Sequence, residues 1–351
     1  MATLSDIAKK CGTSTATVSY VLSGQGDRRR ISPEMQDKIQ QVAKALGYRQ
    51  RDPAEKSRPP KICLFWPDKN LETAIANVVT GVNTALLFES RPVEFSIVPF
   101  GYTPLISQNA LWSSKTYDAA VILSPNKADM EALAQRRTKI PTVLINRSMD
   151  GYSCVTTDYE EVGRLTAEQA IAKAGDDIAL IHNSVPQVGM TLRSQAIYNV
   201  CKSYGIHIDD NIFYCSNSID EAYELGIRLL RQKKLPRAII CVYDTIAFGL
   251  IRAFNEAGVA VGKDVEVIAH GTSTPQFFAR STPSITVVDL KLSELSQRAV
   301  RLAIDLATQR ISAPTSVVIP PELIYRESSP PPSLEQTQKF IERKRKSLAS
   351  K

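Results

Sequence analysis

What the chain lacks narrows the field first. Nowhere in its 351 residues is there a run approaching the ~20 consecutive apolar residues that a membrane-spanning helix needs. The opening residues, MATLSDIAKKCG, have no apolar signal segment, so a cytoplasmic protein is expected, without a membrane partner. Histidine is scarce, with three residues: His182, His207 and His270. The six cysteines (Cys11, Cys63, Cys154, Cys201, Cys215 and Cys241) form no C-x-x-C pair, and none stands at metal-ligand spacing from a histidine. They read as small buried hydrophobes, which argues against a zinc site. Also absent are G-x-S-x-G, H-E-x-x-H, a Walker loop and G-x-G-x-x-G. The expectation is a protein that is not an enzyme and holds no cofactor.

What is present begins with charge. The formal net charge is +7, unevenly spread. Residues 1–60 carry 11 Lys/Arg against 6 Asp/Glu, and residues 333–351 carry 6 against 2, so the long middle is mildly acidic. Basic ends on an acidic body suggest a polyanion partner for the ends. The length suits two or three domains.

The first segment reads as three short helices. Thr3 precedes an apolar face of Leu4, Ile7, Ala8 and Cys11, and Asp6 three residues on makes an acidic capping box. Gly12-Thr13 makes a turn, and Ser14 caps a second helix whose inward face holds Ala16 or Thr17, Val18, Val21 and Leu22. Ser32-Pro33-Glu34 opens a third, with Met35, Ile39, Val42 and Leu46 on one stripe. Two helices across a glycine turn, braced by a third, make a helix-turn-helix. The second helix keeps small hydroxylated residues outward, which lets its backbone enter a major groove; a merely solvated face is the alternative.

The spacing A-x-x-x-G-x-S-x-x-T-V-S-x-V-L-x-G is present as Ala8, Gly12, Ser14, Thr17, Val18, Ser19, Val21, Leu22 and Gly24, and ALGY closes the segment at 45–48. In these residues the chain resembles the LacI family of bacterial transcriptional regulators. The resemblance implies an all-α helix-turn-helix head at 1–48 and a hinge at 49–60. Behind them it implies an α/β two-lobed, periplasmic-binding-protein-like core of doubly wound parallel sheets at 61–326. Thr15, Ala16 and Tyr20 match the family's base-reading positions; Thr3, Ser14, Thr17 and Ser19 suit capping, packing and phosphate contacts. In the hinge, Arg49, Arg51 and Lys56 (with Arg58) are candidate phosphate contacts, with a flexible tether as the alternative. Ser57 stands where the family inserts a leucine wedge into the minor groove, which puts family-style kinking in doubt.

From residue 61 strand-like and helix-like segments alternate, which argues for parallel sheets covered by helices. Strands are expected at 62–66, 93–100, 119–123, 142–145, 154–157, 178–182, 212–214, 238–242, 266–269 and 285–288. The resemblance implies lobes of about 61–158 plus 290–326 and about 159–289, with an effector cleft outside the strands' carboxyl ends. Candidate effector contacts are Arg193, matching the family's cleft arginine, with Asp158, Tyr243, Asp244 and His270. Asp244 also suits a plain N-cap, and His270 an ordinary half-buried histidine. The family's G-F-D-D strand end reads Ala269-His270-Gly271-Thr272, and Asn146 replaces the aspartate before Arg147, so a simple sugar site has lost carboxylates it needs.

Residues 327–351 depart from the family: a proline-rich spacer and a basic tail. A frayed, solvated tail is expected; Ser333 and Gln336 could instead cap a helix from Leu334 to Leu348, adding non-specific DNA affinity. The reading is a repressor that binds a palindromic double-stranded operator as a homodimer, with tetramers left open, in the cytoplasm at the nucleoid. A small-molecule effector modulates it. Its rivals are a regulator controlled by a protein partner over an idle cleft, and a small-molecule binding protein with no regulatory role.

Overall fold

The structure, a computed structural model, describes residues 3–46, 48, 58–67, 74–100, 104–184, 188–232, 234–312 and 314–349. It divides into two compact units, Met1–Pro59 and Pro60–Lys351.

In the first unit, α1 (Leu4–Cys11) starts where the capping box requires it: Thr3 Oγ1 accepts from the Asp6 amide, and the Asp6 carboxylate accepts from the Thr3 amide. Gly12 ends it at φ 70°, a left-handed conformation that costs glycine no steric penalty. Ser14 then caps α2 (Thr15–Leu22), accepting from the Thr17 amide. Ser32 caps α3 (Pro33–Ala45), with proline at its first position. Ile7, Val18 and Ile39, one from each helix, are fully buried against one another's neighbours in a small core. Each contributes about 1.5–3 kcal/mol of burial.

Among its described residues the second unit holds twelve strands in two six-stranded sheets. The first sheet, in spatial order, is Ser316–Ile319 (β11), Ser153–Thr157 (β5), Thr142–Ile145 (β4), Ala119–Leu123 (β3), Lys61–Pro67 (β1) and Glu94–Phe100 (β2). The second is Glu322–Ile324 (β12), Thr286–Asp289 (β10), Glu266–Gly271 (β9), Ala238–Cys241 (β8), Ile178–Asn183 (β6) and Ile212–Cys215 (β7). Every pairing is parallel except β10 with β12. Central strands such as β3 and β8 are buried at every residue, as a sheet covered on both faces demands. Ile75–Leu87 (α4) and Leu292–Ala307 (α11) pack together on one face of the first sheet. On the second, Tyr159–Ala174 (α6) pairs with Val188–Ser203 (α7), and Ile219–Leu230 (α8) with Asp244–Glu256 (α9). Gly163 permits the first of these pairs: a Cβ there would lie 2.3 Å from the Ala196 Cβ.

All ten expected strands fall within a residue or two of the observed ones. The lobe division needs one correction. The segment 290–326 does not stay with the first lobe: α11 and β11 belong there, but β12 crosses back and pairs antiparallel with β10. The chain therefore crosses between sheets at three places, and these are bonded together. Thr157 Oγ1 donates to Leu290 O at 3.0 Å, the Asp158 amide donates to Ile319 O at 3.3 Å, and Lys291 bridges Asp289 and Glu322.

The tail is a second correction. It is not frayed: Leu334–Ala349 is a helix, α12, opened by a reciprocal Ser333–Gln336 capping box. Phe340 stacks on Tyr204 with centroids 5.6 Å apart, and Lys344 meets Glu168 at 2.7 Å. The aromatic anchor and the ion pair, with bonds from Gln336 to Lys173 O and from Ser347 to Ser203 O, hold the helix down, where composition alone suggested a solvated run of cations.

Candidate functional site

Two places gather the expected residues. The first is the outer face of α2. Ser14, Thr15, Ala16 and Ser19 are exposed there, and Thr17 is half-buried. Ser14 Oγ lies 2.9 Å from Thr17 Oγ1, so these two hydroxyls serve the cap as well as the surface. Thr3 is half-exposed, its side chain engaged by Asp6. Tyr20 is half-buried, with the Arg29 guanidinium 4.5 Å above its ring. That arginine belongs to a run that the sequence reading passed over, Arg28-Arg29-Arg30, all exposed. The turn carrying it is ordered by backbone bonds, among them Arg29 N to Gln25 O and Ile31 N to Gly26 O. The signal was available as three consecutive cations in the turn between the second and third helices. Arg49, Arg51, Lys56 and Ser57 lie outside the described residues.

The second place lies at the carboxyl ends of β4 and β6. Arg193, on α7, is 6% exposed. Its Nε donates to His270 Nδ1 at 3.1 Å and its Nη2 donates to Val242 O at 3.3 Å. An arginine Nε can only donate, so His270 Nδ1 must accept, and its Nε2 carries the proton toward Thr166 Oγ1, 3.1 Å away. Thr166 Oγ1 in turn donates to Val162 O at 2.6 Å. His270 is thus fully buried rather than half-buried, and its neutral form is fixed by geometry. Burial, with Arg193 beside it, holds its pKa well below the usual imidazole range.

Asp244 is fully buried and sits at the first residue of α9, one past the cap position, which Tyr243 occupies. Its carboxylate accepts from the Thr245, Thr272 and Ser273 amides and the Thr272 hydroxyl, four donors in all. Four donors saturate a carboxylate. Asp244 therefore organises the 272–273 turn, and Asn77 of the other lobe donates from its Nδ2 to both carbonyls of that turn, at 2.8 and 2.9 Å. Tyr243 is 2% exposed, and burial lifts its phenol to about 12. Asp158 caps α6, accepting from the Glu161 amide at 3.0 Å.

Two further residues join Arg193. Arg147, in the first lobe just after β4, is half-buried; it donates to Pro125 O at 2.8 Å and to Asn146 O at 2.6 Å. Tyr159 at the start of α6 donates to the same Asn146 carbonyl at 3.2 Å. Asn146 holds φ 62°, a left-handed conformation that asparagine tolerates better than most residues, which turns its carbonyl toward both donors. Sequence reasoning noted Arg147 only as a neighbour of a lost aspartate. Among the described residues no group of His, Cys, Asp and Glu could hold a metal ion, and no helix is long and apolar enough to cross a membrane.

Comparison with known proteins covers both units. A family profile described as bacterial regulatory proteins, lacI family, matches residues 3–50, and one for a periplasmic binding protein-like domain matches residues 167–329. The HTH-type transcriptional repressor PurR of Mannheimia succiniciproducens is 26% identical over 348 residues, spanning 93% of this chain and 98% of its own. A LacI family transcription regulator from Clostridium acetobutylicum superposes with a TM-score of 0.72 at 27% identity, covering 76% of this chain and 99% of that one. The lac repressor dimer bound to operator and the anti-inducer ONPF shares the fold, with a TM-score of 0.66 at 19% identity over 94% of this chain and 99% of its own. The chain thus joins a helix-turn-helix segment that matches the lacI family of bacterial regulatory proteins to a periplasmic binding protein-like domain, the make-up of a DNA-binding transcriptional regulator.

Proposed function

We propose that this regulator represses transcription as a homodimer on a near-palindromic operator, reading bases with Thr15, Ala16 and Tyr20, and that a small molecule in the interlobe cleft changes its DNA affinity. The observation that carries the reading is the face of α2. Short side chains stand exposed on a helix whose own apolar side is fully committed to the head's core, beside an ordered Arg28–Arg30 turn. Small residues admit the helix backbone to a major groove, and the arginines supply the sequence-independent phosphate attraction.

A second copy suits the apolar residues left exposed on the edge strands and their neighbours: Leu87, Phe88 and Ile97 in the first lobe, Tyr214, Ile219 and Phe277 in the second. Large exposed apolar groups on both lobes mark an association surface. Two-fold pairing of heads then implies two half-sites related by the same axis. Three crossovers bonded to one another form a hinge, and a cleft ligand bound more tightly in one lobe arrangement shifts the population toward it.

The test is selection of genomic DNA fragments by the purified full chain near physiological salt. An enriched palindromic motif, with affinity falling steeply as salt rises, is the expected result. Enrichment without a motif would reduce the head to a basic tether and overturn sequence-specific repression.

A further inference from the structure

We infer that the cleft takes an anionic effector, one carrying a phosphoryl or carboxylate group that bridges Arg147 of the first lobe and Arg193 of the second. The inference rests on the cleft being the effector site.

Four observations converge on one point, the space beside Gly189 at the second position of α7. A Cβ placed on Gly189 would lie 3.2 Å from Tyr159 Oη, 3.6 Å from Arg147 Nη1 and 3.7 Å from Arg193 Nη1. The two guanidinium nitrogens, one from each lobe, thus converge on the start of α7. Neither arginine makes an ion pair among the described residues. Asp244, the acid nearest in effect to Arg193, already spends its carboxylate on four donors. Among the described residues the bonds of Arg193, a residue 94% buried, run from Nε and Nη2.

Two cations withdrawn from water together without an ion-pair partner are unfavourable, and each is pushed below its ordinary pKa by burial; for Arg193 the charge of Arg147 acts in the same sense. A negative group between them would complete the pair. A tetrahedral or planar oxyanion does so, accepting from both forks and from the amides at the start of α7. Its charge would offset the repulsion between lobes, so binding favours the closed arrangement of the hinge. A neutral polyol offers these groups no charge, which accords with the loss of the carboxylates that a sugar's hydroxyls would need. His270 is a positioning residue here: it accepts from Arg193 Nε and so holds the guanidinium whose Nη1 lies toward the start of α7.

The experiment uses the full chain at 0.15 M salt, with inorganic phosphate, ribose 5-phosphate, gluconate and neutral ribose as probes, read by thermal shift and calorimetry. Operator affinity is measured with the best probe. The expected result is that an anion raises the melting temperature and binds at least tenfold tighter than ribose. The ribose 5-phosphate and gluconate arms separate phosphoryl from carboxylate. Arg147→Gln and Arg193→Gln each weaken binding at least tenfold, and Arg147→Lys restores part of it. Gly189→Ala guards against a folding artefact: it keeps both arginines, favours the helix and fills the cradle, so it lowers affinity without lowering thermal stability. Equal binding of ribose and the anions, indifferent to Arg147→Gln, would overturn the anion site and leave the effector cleft standing. No shift with any anion, phosphate included, would overturn it as well. Arginine-dependent anion binding that leaves operator affinity unchanged would keep the anion site and remove the effector role of the cleft.

Discussion

The two candidate sites handle charge in opposite ways. On α2 and the turn after it, the groups offered to a partner are exposed: Thr15, Ala16, Ser19 and three consecutive arginines. In the cleft they are withdrawn: Arg193, His270, Tyr243 and Asp244 are each 6% exposed or less. Exposed cations interact through water, are screened by salt and cost the fold little. Buried ones must be satisfied by the fold itself or by a ligand. The first site is therefore decoration on a stable frame, and the second is part of the frame.

That contrast is open to test, and the largest effect is expected in the core. Asp244→Ala leaves three buried amides without an acceptor and should cost about 3–5 kcal/mol in urea unfolding of the second unit. A cost below ~1 kcal/mol would show that water replaces the carboxylate and that the site is wetter than its burial implies. Next is Ile39→Ala, which opens a cavity in the head's small core and should cost about 2–4 kcal/mol there. Proteolysis should then cut residues 3–46 while the second unit resists; joint loss of both would contradict two separately packed units.

Phe340→Ala removes a half-buried ring stacked on Tyr204 and should cost about 1–2 kcal/mol, seen as faster hydrogen exchange in Leu334–Ala349. Unchanged exchange would mean that the Lys344–Glu168 pair suffices. Acidity supplies a fourth test. His270 is held neutral in the fold, so the unfolded chain binds the extra proton below its ordinary pKa of 6.5. Stability from this group is complete above that pH and falls as pH drops below it. His270→Gln should flatten that part of the stability profile; an unchanged profile would place the titration elsewhere. The smallest effect is at the surface. Arg28→Ala should weaken operator binding by at most about tenfold and reduce the salt slope by about one, without altering stability.

The same contrast explains what could be read in the chain. The head was legible down to its caps, because helix starts are written locally: Thr3 with Asp6, Ser14 with Thr17, Ser32 before Pro33. Strands of the core were legible for a similar reason, since a buried parallel strand is a short apolar run whatever its neighbours. The two strands missed, β11 and β12, are partly exposed edge strands of four and three residues. Site geometry was the part that escaped. Arg147 and Gly189 are 42 residues apart and look unremarkable in line; only the meeting of the lobes brings Arg147 Nη1 within 3.6 Å of where a Cβ on Gly189 would stand. Asp244 resembled a cap because its place before a helix is local information, whereas its bonds to Thr272 and Ser273 are not. The tail misled because four adjacent cations outweigh one phenylalanine in composition, but not in packing.

The measurement that bears most directly on the central claim compares the DNA motif selected by the natural chain with that selected by the variants Thr15→Asn and Ala16→Asn. If α2 reads bases, the preferred base changes at one position in each half-site while the half-site spacing is kept. An identical motif from all three proteins would contradict the assignment of α2 as the reading helix.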